Sequence, residues 1–176
     1  MATWLVLGGA RSGKSAVAER IAVAGAARRV YIATARAGDE EMAARIAGHQ
    51  ARRGTGWRTV EEPLDIAPAI AAAAGPGVAV LVDCLTLWLM NLIEAGRDAE
   101  AAGDGLAETL DNAEGTVVVV SNEVGLGIVP GNELARAFRD AAGALNQRIA
   151  AAAGNVILVT AGLPLPLKRD GIVLHG

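Results

Sequence analysis

Apolar residues follow two rhythms along this chain. Short, nearly unbroken apolar runs at 3–7, 78–83, 116–121 and 155–160 alternate with longer segments in which apolar residues recur every three or four positions. The first rhythm is that of strands buried on both faces, and the second is that of helices with one apolar side. The pattern predicts strands at 3–7, 29–34, 57–61, 78–83, 116–121 and 155–160, and helices at 14–25, 39–53, 64–74 and 132–153. Helical pattern also runs from 84 to about 113, with 96–105 expected to be a polar connection. In 132–153, Leu134, Phe138, Ala141, Leu145 and Ile149 share an apolar face, opposite Arg136, Arg139, Gly143 and Gln147. Arg169-Asp170-Gly171 is turn chemistry and suggests a short C-terminal hairpin. Strands that alternate with helices imply an α/β fold, a mainly parallel sheet wrapped on both faces, here in a single domain over 1–176.

Composition narrows the picture. The chain is 52% hydrophobic but only 3% aromatic, a mixture of Ala, Val, Leu and Ile that suits helices packed on a sheet. A formal net charge of −3 offers no global basic footprint for nucleic acid or anionic membrane. The single cysteine, Cys84, excludes an internal disulfide and fits a reducing cytoplasm. Its expected place is the core, as a small hydrophobe. The N-terminus shows no secretory signal pattern. The most apolar stretch, 78–93, is interrupted by Asp83, Thr86 and Asn91, so a strand followed by a buried helix is expected and not a membrane span.

The chemistry begins at residue 8. Gly8-Gly9-Ala10-Arg11-Ser12-Gly13-Lys14-Ser15 matches the phosphate-loop pattern, with an apolar strand before it and an amphipathic helix after it, and predicts a P-loop NTPase-like fold. Glycines at those positions let successive backbone N–H groups converge on phosphate oxygens. Lys14 supplies charge for the β- and γ-phosphates, Ser15 a hydroxyl for Mg²⁺, and the helix N-terminus its partial positive charge. A P-loop also needs a carboxylate on the metal side at the end of another strand. Asp83 closes the strand 78–83 and is the candidate; an N-cap for the following helix is its alternative role.

Two histidines are present. His175 lies at the extreme C-terminus. His49 lies on the polar helix 39–53, with Arg45 and Arg52 or Arg53 on the same side. A neutral imidazole flanked by arginines can donate to phosphate or attack phosphorus as a nucleophile. A solvated helix face with an incidental histidine produces the same spacing, and spacing leaves the three readings open. A zinc site lacks ligands.

Beyond the loop, further blocks follow in order: Tyr31-Ile32-Ala33-Thr34-Ala35, Glu41 to His49, Trp57 to Glu61, Asp83-Cys84-Leu85-Thr86-Leu87-Trp88-Leu89, Ser121-Asn122-Glu123-Val124-Gly125-Leu126-Gly127-Ile128-Val129-Pro130, Arg136 to Gly143, and Asn146-Gln147. In these the chain resembles the bifunctional adenosylcobinamide kinase / adenosylcobinamide-phosphate guanylyltransferase family of cobalamin biosynthesis. The resemblance implies two reactions. In the first, ATP or GTP phosphorylates adenosylcobinamide. In the second, GTP guanylylates a histidine, releasing pyrophosphate, and the GMP passes to adenosylcobinamide phosphate. It places the guanylylated histidine at His49 and nucleotide contacts at Ala33, Thr34, Ala35, Gln50, Ala51, Arg52, Arg53, Glu61 and Asp83. It also implies a homotrimer. A plain small-metabolite kinase and a nucleotide-dependent switch share the phosphate loop. Asn122 and Glu123, at the end of a strand, could face substrate or metal. The 96–105 connection and the tail beyond Lys168 carry no family signature.

Overall fold

The computed structural model describes residues 2–35 and 56–174. The helix expected at 39–53 lies outside them. The described strands are β1 (Ala2–Gly8), β2 (Arg28–Ala33), β3 (Trp57–Glu61), β4 (Val78–Asp83), β5 (Thr116–Asn122), β6 (Asn155–Thr160), β7 (Leu163–Arg169) and β8 (Ile172–Val173). The described helices are α1 (Lys14–Gly25), α2 (Ile66–Ala73), α3 (Leu85–Glu94), α4 (Ala99–Asn112) and α5 (Glu133–Ala152). All eight strands form one sheet in the order β3-β2-β4-β5-β1-β6-β7-β8. Pairings among β1 to β6 are parallel; β7 and β8 add antiparallel.

The strands read as continuous apolar runs because the two-residue repeat sends alternate side chains into two cores. On one face Leu5, Val80, Val82, Val117 and Val119 pack with Ile70, Trp88, Leu106, Leu145 and Ile149 from α2 to α5. On the other, Val6, Leu81, Val118 and Val120 pack under Val17, Ala18 and Ala22 of α1. Trp88 is fully enclosed, and its indole N–H donates to the Leu64 carbonyl at 2.7 Å, so the one polar atom of the largest core side chain is satisfied.

Three expectations change. A helix spans Ala99–Asn112, so residues 99–105 are helical where a polar connection over 96–105 was expected. Asp98 caps the helix by accepting from the amides of Glu100 and Ala101. Gly103 is buried, and a Cβ there would sit 3.2 Å from Leu145 Cδ1. This glycine lets two helices approach and does not make a turn. Arg148 on α5 clasps the pair through Glu100 (3.1 Å) and Asp104 (2.7 Å). Leu134, placed on the apolar face of α5, is 72% exposed because it lies in the first turn, beyond the sheet edge. Asp83 is not the cap of α3; Cys84 occupies that position and no side chain closes it.

The hairpin forms, and a second one precedes it. β7 turns back from β6 through Ala161 (φ 51°) and Gly162 (φ 79°), and β8 turns back through Asp170 (φ 48°) and Gly171 (φ 82°). Two consecutive positive φ values give the turn whose twist matches antiparallel strands. Pro164 and Pro166 are tolerated in β7 because β8 reaches only Lys168 and Arg169, which leaves the first part of β7 an edge. Among the described residues no helix is long and apolar enough to cross a membrane; the stretch 78–93 forms β4 and α3.

Candidate nucleotide site

The phosphate loop joins the end of β1 to α1 at the carboxyl edge of the sheet. Its curl depends on Arg11 at φ 56° and Gly13 at φ 92°, the latter the residue before α1. A non-glycine residue in that region costs about 1–3 kcal/mol and is retained where the surroundings hold it. Those surroundings are specific. The Gly162 amide donates to the Ser12 carbonyl at 2.8 Å, and the Glu123 amide donates to the Gly8 carbonyl at 3.1 Å. A Cβ on Gly8 would lie 2.5 Å from Ser12 Oγ and 2.6 Å from the Val159 carbonyl; one on Gly13 would lie 3.2 Å from Gly162 Cα. The loop is seated between β5 and the β6–β7 turn, with no room for a side chain at Gly8 and a tight fit at Gly13.

Lys14 is buried, and its ammonium donates to the Gly9 carbonyl at 3.1 Å, so the charge lies folded over the loop. Ser12 Oγ is buried with no hydrogen-bond partner among the described residues. Ser15 is half-buried in the first turn of α1, while Gly9, Ala10, Arg11 and Gly13 are exposed.

The remaining described candidates fall in one row. Strand register pairs Ala33 with Glu61 on one side and with Asp83 on the other, and Asp83 with Val120. Glu61, Ala33 and Asp83 therefore stand side by side at the same edge as the phosphate loop. Asp83 is half-buried and makes no ion pair among the described residues. Ala35 is half-buried just past β2. Thr34 is fully buried: its hydroxyl accepts from the Cys84 amide at 2.8 Å and donates to the Cys84 carbonyl at 2.9 Å. Asn91 Nδ2 donates to the carbonyls of Thr34 (2.8 Å) and Pro63 (3.0 Å). Thr34 thus locks the ends of β2 and β4 together and fixes the backbone on either side of it. Burial pushes the Cys84 thiol up from its usual pKa, and the adjacent Asp83 carboxylate adds to the rise, so the cysteine is a neutral packing group.

His49, Gln50, Ala51, Arg52 and Arg53 lie outside the described residues. Among the described residues no cluster of three or more His, Cys, Asp or Glu could hold a metal by itself. The oxygen donors at this edge, the Ser15 hydroxyl and the Asp83 carboxylate, are of the hard kind that Mg²⁺ takes beside phosphate and water. Gly162, Thr86, Asn91 and Asn146 position the site, and sequence reading assigned none of them a role. The Thr86 hydroxyl accepts from the Asn122 amide at 2.8 Å, and Asn146 Nδ2 donates to the Asn122 carbonyl at 3.1 Å. For Thr86, Asn91 and Asn146 a signal was present: polar residues among the apolar positions of helical stretches, which burial obliges to find partners.

The sequence model of one family, cobinamide kinase / cobinamide phosphate guanyltransferase (CobU), matches residues 4–167. The chain belongs to this family. It is 51% identical over 168 residues to the bifunctional adenosylcobalamin biosynthesis protein CobP of Pseudomonas aeruginosa, covering 94% of this chain and 97% of that one. It is 41% identical to the bifunctional adenosylcobalamin biosynthesis protein CobU of Escherichia coli, covering 93% and 98% of the two chains. The namesake from Salmonella typhimurium is 42% identical with the same coverage. A solved Pyrococcus horikoshii OT3 structure, project PH0250, superposes with a TM-score of 0.55 over 98% of this chain and 91% of that one. At 10% identity that likeness concerns the fold alone. Family membership makes this chain an enzyme with kinase and guanyltransferase chemistry, acting on cobinamide substrates and nucleotides.

Proposed function

We propose that both family reactions use one nucleotide position, set by the phosphate loop, and differ in which phosphorus is attacked. In the kinase reaction the aminopropanol hydroxyl of adenosylcobinamide attacks the γ-phosphorus of ATP or GTP. In the guanylyl transfer, His49 attacks the α-phosphorus of GTP and pyrophosphate leaves. The GMP then passes to adenosylcobinamide phosphate, giving adenosyl-GDP-cobinamide.

The observation that carries the reading is the seating of the loop against β5 and the β6–β7 turn, with Lys14 folded over it. A loop held at both flanks keeps the phosphate chain in one place, so positioning accounts for most of the rate. Ser12 Oγ offers a buried hydroxyl to a phosphate oxygen, and Lys14 exchanges its Gly9 carbonyl for phosphate. Ser15 and Asp83 would hold Mg²⁺, which would supply neutralisation of phosphate charge. The row Asp83, Ala33, Glu61 leads away from the loop along the sheet edge. Strands lie about 4.8 Å apart, so Glu61 stands roughly 19 Å from β1. At that distance its carboxylate suits the N–H donors of guanine at the base end of an outstretched nucleotide. Thr34 contributes by fixing the backbone of Ala33 and Ala35.

His49 with Gln50, Ala51, Arg52 and Arg53 is assigned to the α-phosphorus side through the family resemblance. A homotrimer is the assembly this reading expects; exposed Leu126, Ile128, Leu163 and Leu165 offer apolar surface for it. Purified protein given adenosylcobinamide, GTP and Mg²⁺ should form first the corrinoid phosphate and then GDP-cobinamide. Formation of the phosphate alone would reduce the protein to a kinase.

A further inference from the structure

The kinase reaction leaves one chemical task without a residue. An alcohol that attacks phosphorus must lose its proton, and the group that takes it has to lie within hydrogen-bond reach of the attacking oxygen. In turn that oxygen sits about 3–3.5 Å from the γ-phosphorus. Among the described residues, the carboxylates that end or directly follow the parallel strands are Glu61, Glu62, Asp83 and Glu123. Strand order separates them. Glu61 ends β3, four strand spacings from β1, and Asp83 ends β4, two spacings or roughly 10 Å away. Glu62 directly follows β3 and is as distant as Glu61, and its Oε1 accepts the amides of Leu64 and Asp65 at the entrance to α2. Glu123 follows β5, the direct neighbour of β1, and its own amide donates to Gly8 at the start of the phosphate loop.

Its placement is fixed from four directions. Asn122, the preceding residue, is held at its amide by Thr86 of α3 and at its carbonyl by Asn146 of α5. Glu123 is tied to Gly8, and its Oε1 accepts the Gly125 amide at 2.6 Å. A Cβ on Gly125 would lie 3.0 Å from that oxygen, so the glycine keeps the approach open. One carboxylate oxygen is thereby anchored and the other stays available, on a half-buried side chain beside the loop. Two helices, a strand and a turn converge to hold an acid that closes no ion pair among the described residues.

We infer that Glu123 is the general base of the kinase reaction, an assignment that rests on the single-site reading above. As the acceptor oxygen bonds to the γ-phosphorus and the bridge between the β- and γ-phosphates breaks, the hydroxyl proton passes to the free oxygen of Glu123. The nucleoside diphosphate leaves, and the proton is later released to water. Guanylylation of an imidazole needs no alcohol proton removed, so Glu123 serves one reaction and not the other.

The test compares the wild-type enzyme with Glu123→Gln and Glu123→Asp in two assays. One follows phosphorylation of adenosylcobinamide by ATP; the other follows protein labelling by α-labelled GTP. Glu123→Gln keeps an acceptor for the Gly125 amide, so its melting temperature should match wild type. Its kinase kcat should fall about 10²- to 10⁴-fold with KM for ATP unchanged, while protein labelling keeps the wild-type rate. Glu123→Asp should recover part of the kinase rate. Equal losses in both assays, or a raised Mg²⁺ requirement in both, would make Glu123 a structural or metal-side residue and overturn the assignment. Unchanged kinase activity in Glu123→Gln would overturn it too. If the wild-type enzyme itself formed no corrinoid phosphate, the reading of the site would fail, which is a separate result.

Discussion

Gly8 tests the seating of the phosphate loop by one methyl group. In Gly8→Ala the new Cβ would lie 2.5 Å from Ser12 Oγ and 2.6 Å from the Val159 carbonyl. The serine can rotate away. The carbonyl cannot, since it belongs to β6 and is fixed by pairing with β1. The loop therefore has to shift, and overpacking of this kind costs about 1–3 kcal/mol. For a chain of this length each kcal/mol lowers Tm by about 2–4 °C, so the variant should melt about 2–12 °C lower. Gly9→Ala is the control one residue along: nothing lies within 4 Å of its Cβ, and its φ is not positive. It should melt with the wild type. Scanning calorimetry with and without GTP reads both quantities, and Gly8→Ala should also lose most of the stabilisation that GTP confers. Equal Tm values for Gly8→Ala and Gly9→Ala, with equal GTP-induced shifts, would refute the claim that close packing sets the loop.

Other expectations follow from the neighbouring residues. Asn91→Leu orphans the buried Thr34 carbonyl and the Pro63 carbonyl, each at a cost of about 1–3 kcal/mol, so urea denaturation should show a loss of at least about 2 kcal/mol. A loss no larger than that of an exposed substitution would mean the pair is not coupled to folding. Cys84, whose thiol is raised by burial and by Asp83, should react slowly with a thiol reagent at neutral pH in the folded protein and fast in urea. Because the folded state holds that proton more tightly, the contribution is full below the ordinary thiol pKa. It erodes as pH rises past roughly 8.5, visible as a falling urea midpoint.

The strands and α1 were legible because a buried parallel sheet writes unbroken apolar runs and the phosphate loop has a fixed chemical grammar. The sheet edge was legible too: Asp83 and Glu61 end their strands as expected, and register sets them in one row. What escaped reading was long-range. Gly103 looks like a helix breaker in sequence, yet its bareness serves the contact with Leu145, which is 42 positions distant and invisible to local pattern. The Ala161-Gly162 turn was hidden because alanine is an uncommon choice at positive φ. The bonds of the Thr34 hydroxyl to Cys84 were hidden too, since only the pairing of β2 with β4 brings the two residues within reach.

We propose one phosphate position for attack at two phosphorus atoms, with His49 as the nucleophile at the inner one. Incubation with α-labelled GTP and Mg²⁺ tests it most directly. Covalent label is expected on the wild-type protein, labile to acid, stable to base and absent from His49→Ala, while that variant still phosphorylates adenosylcobinamide. Label that persists in His49→Ala, or a wild-type protein that takes up none, would contradict it.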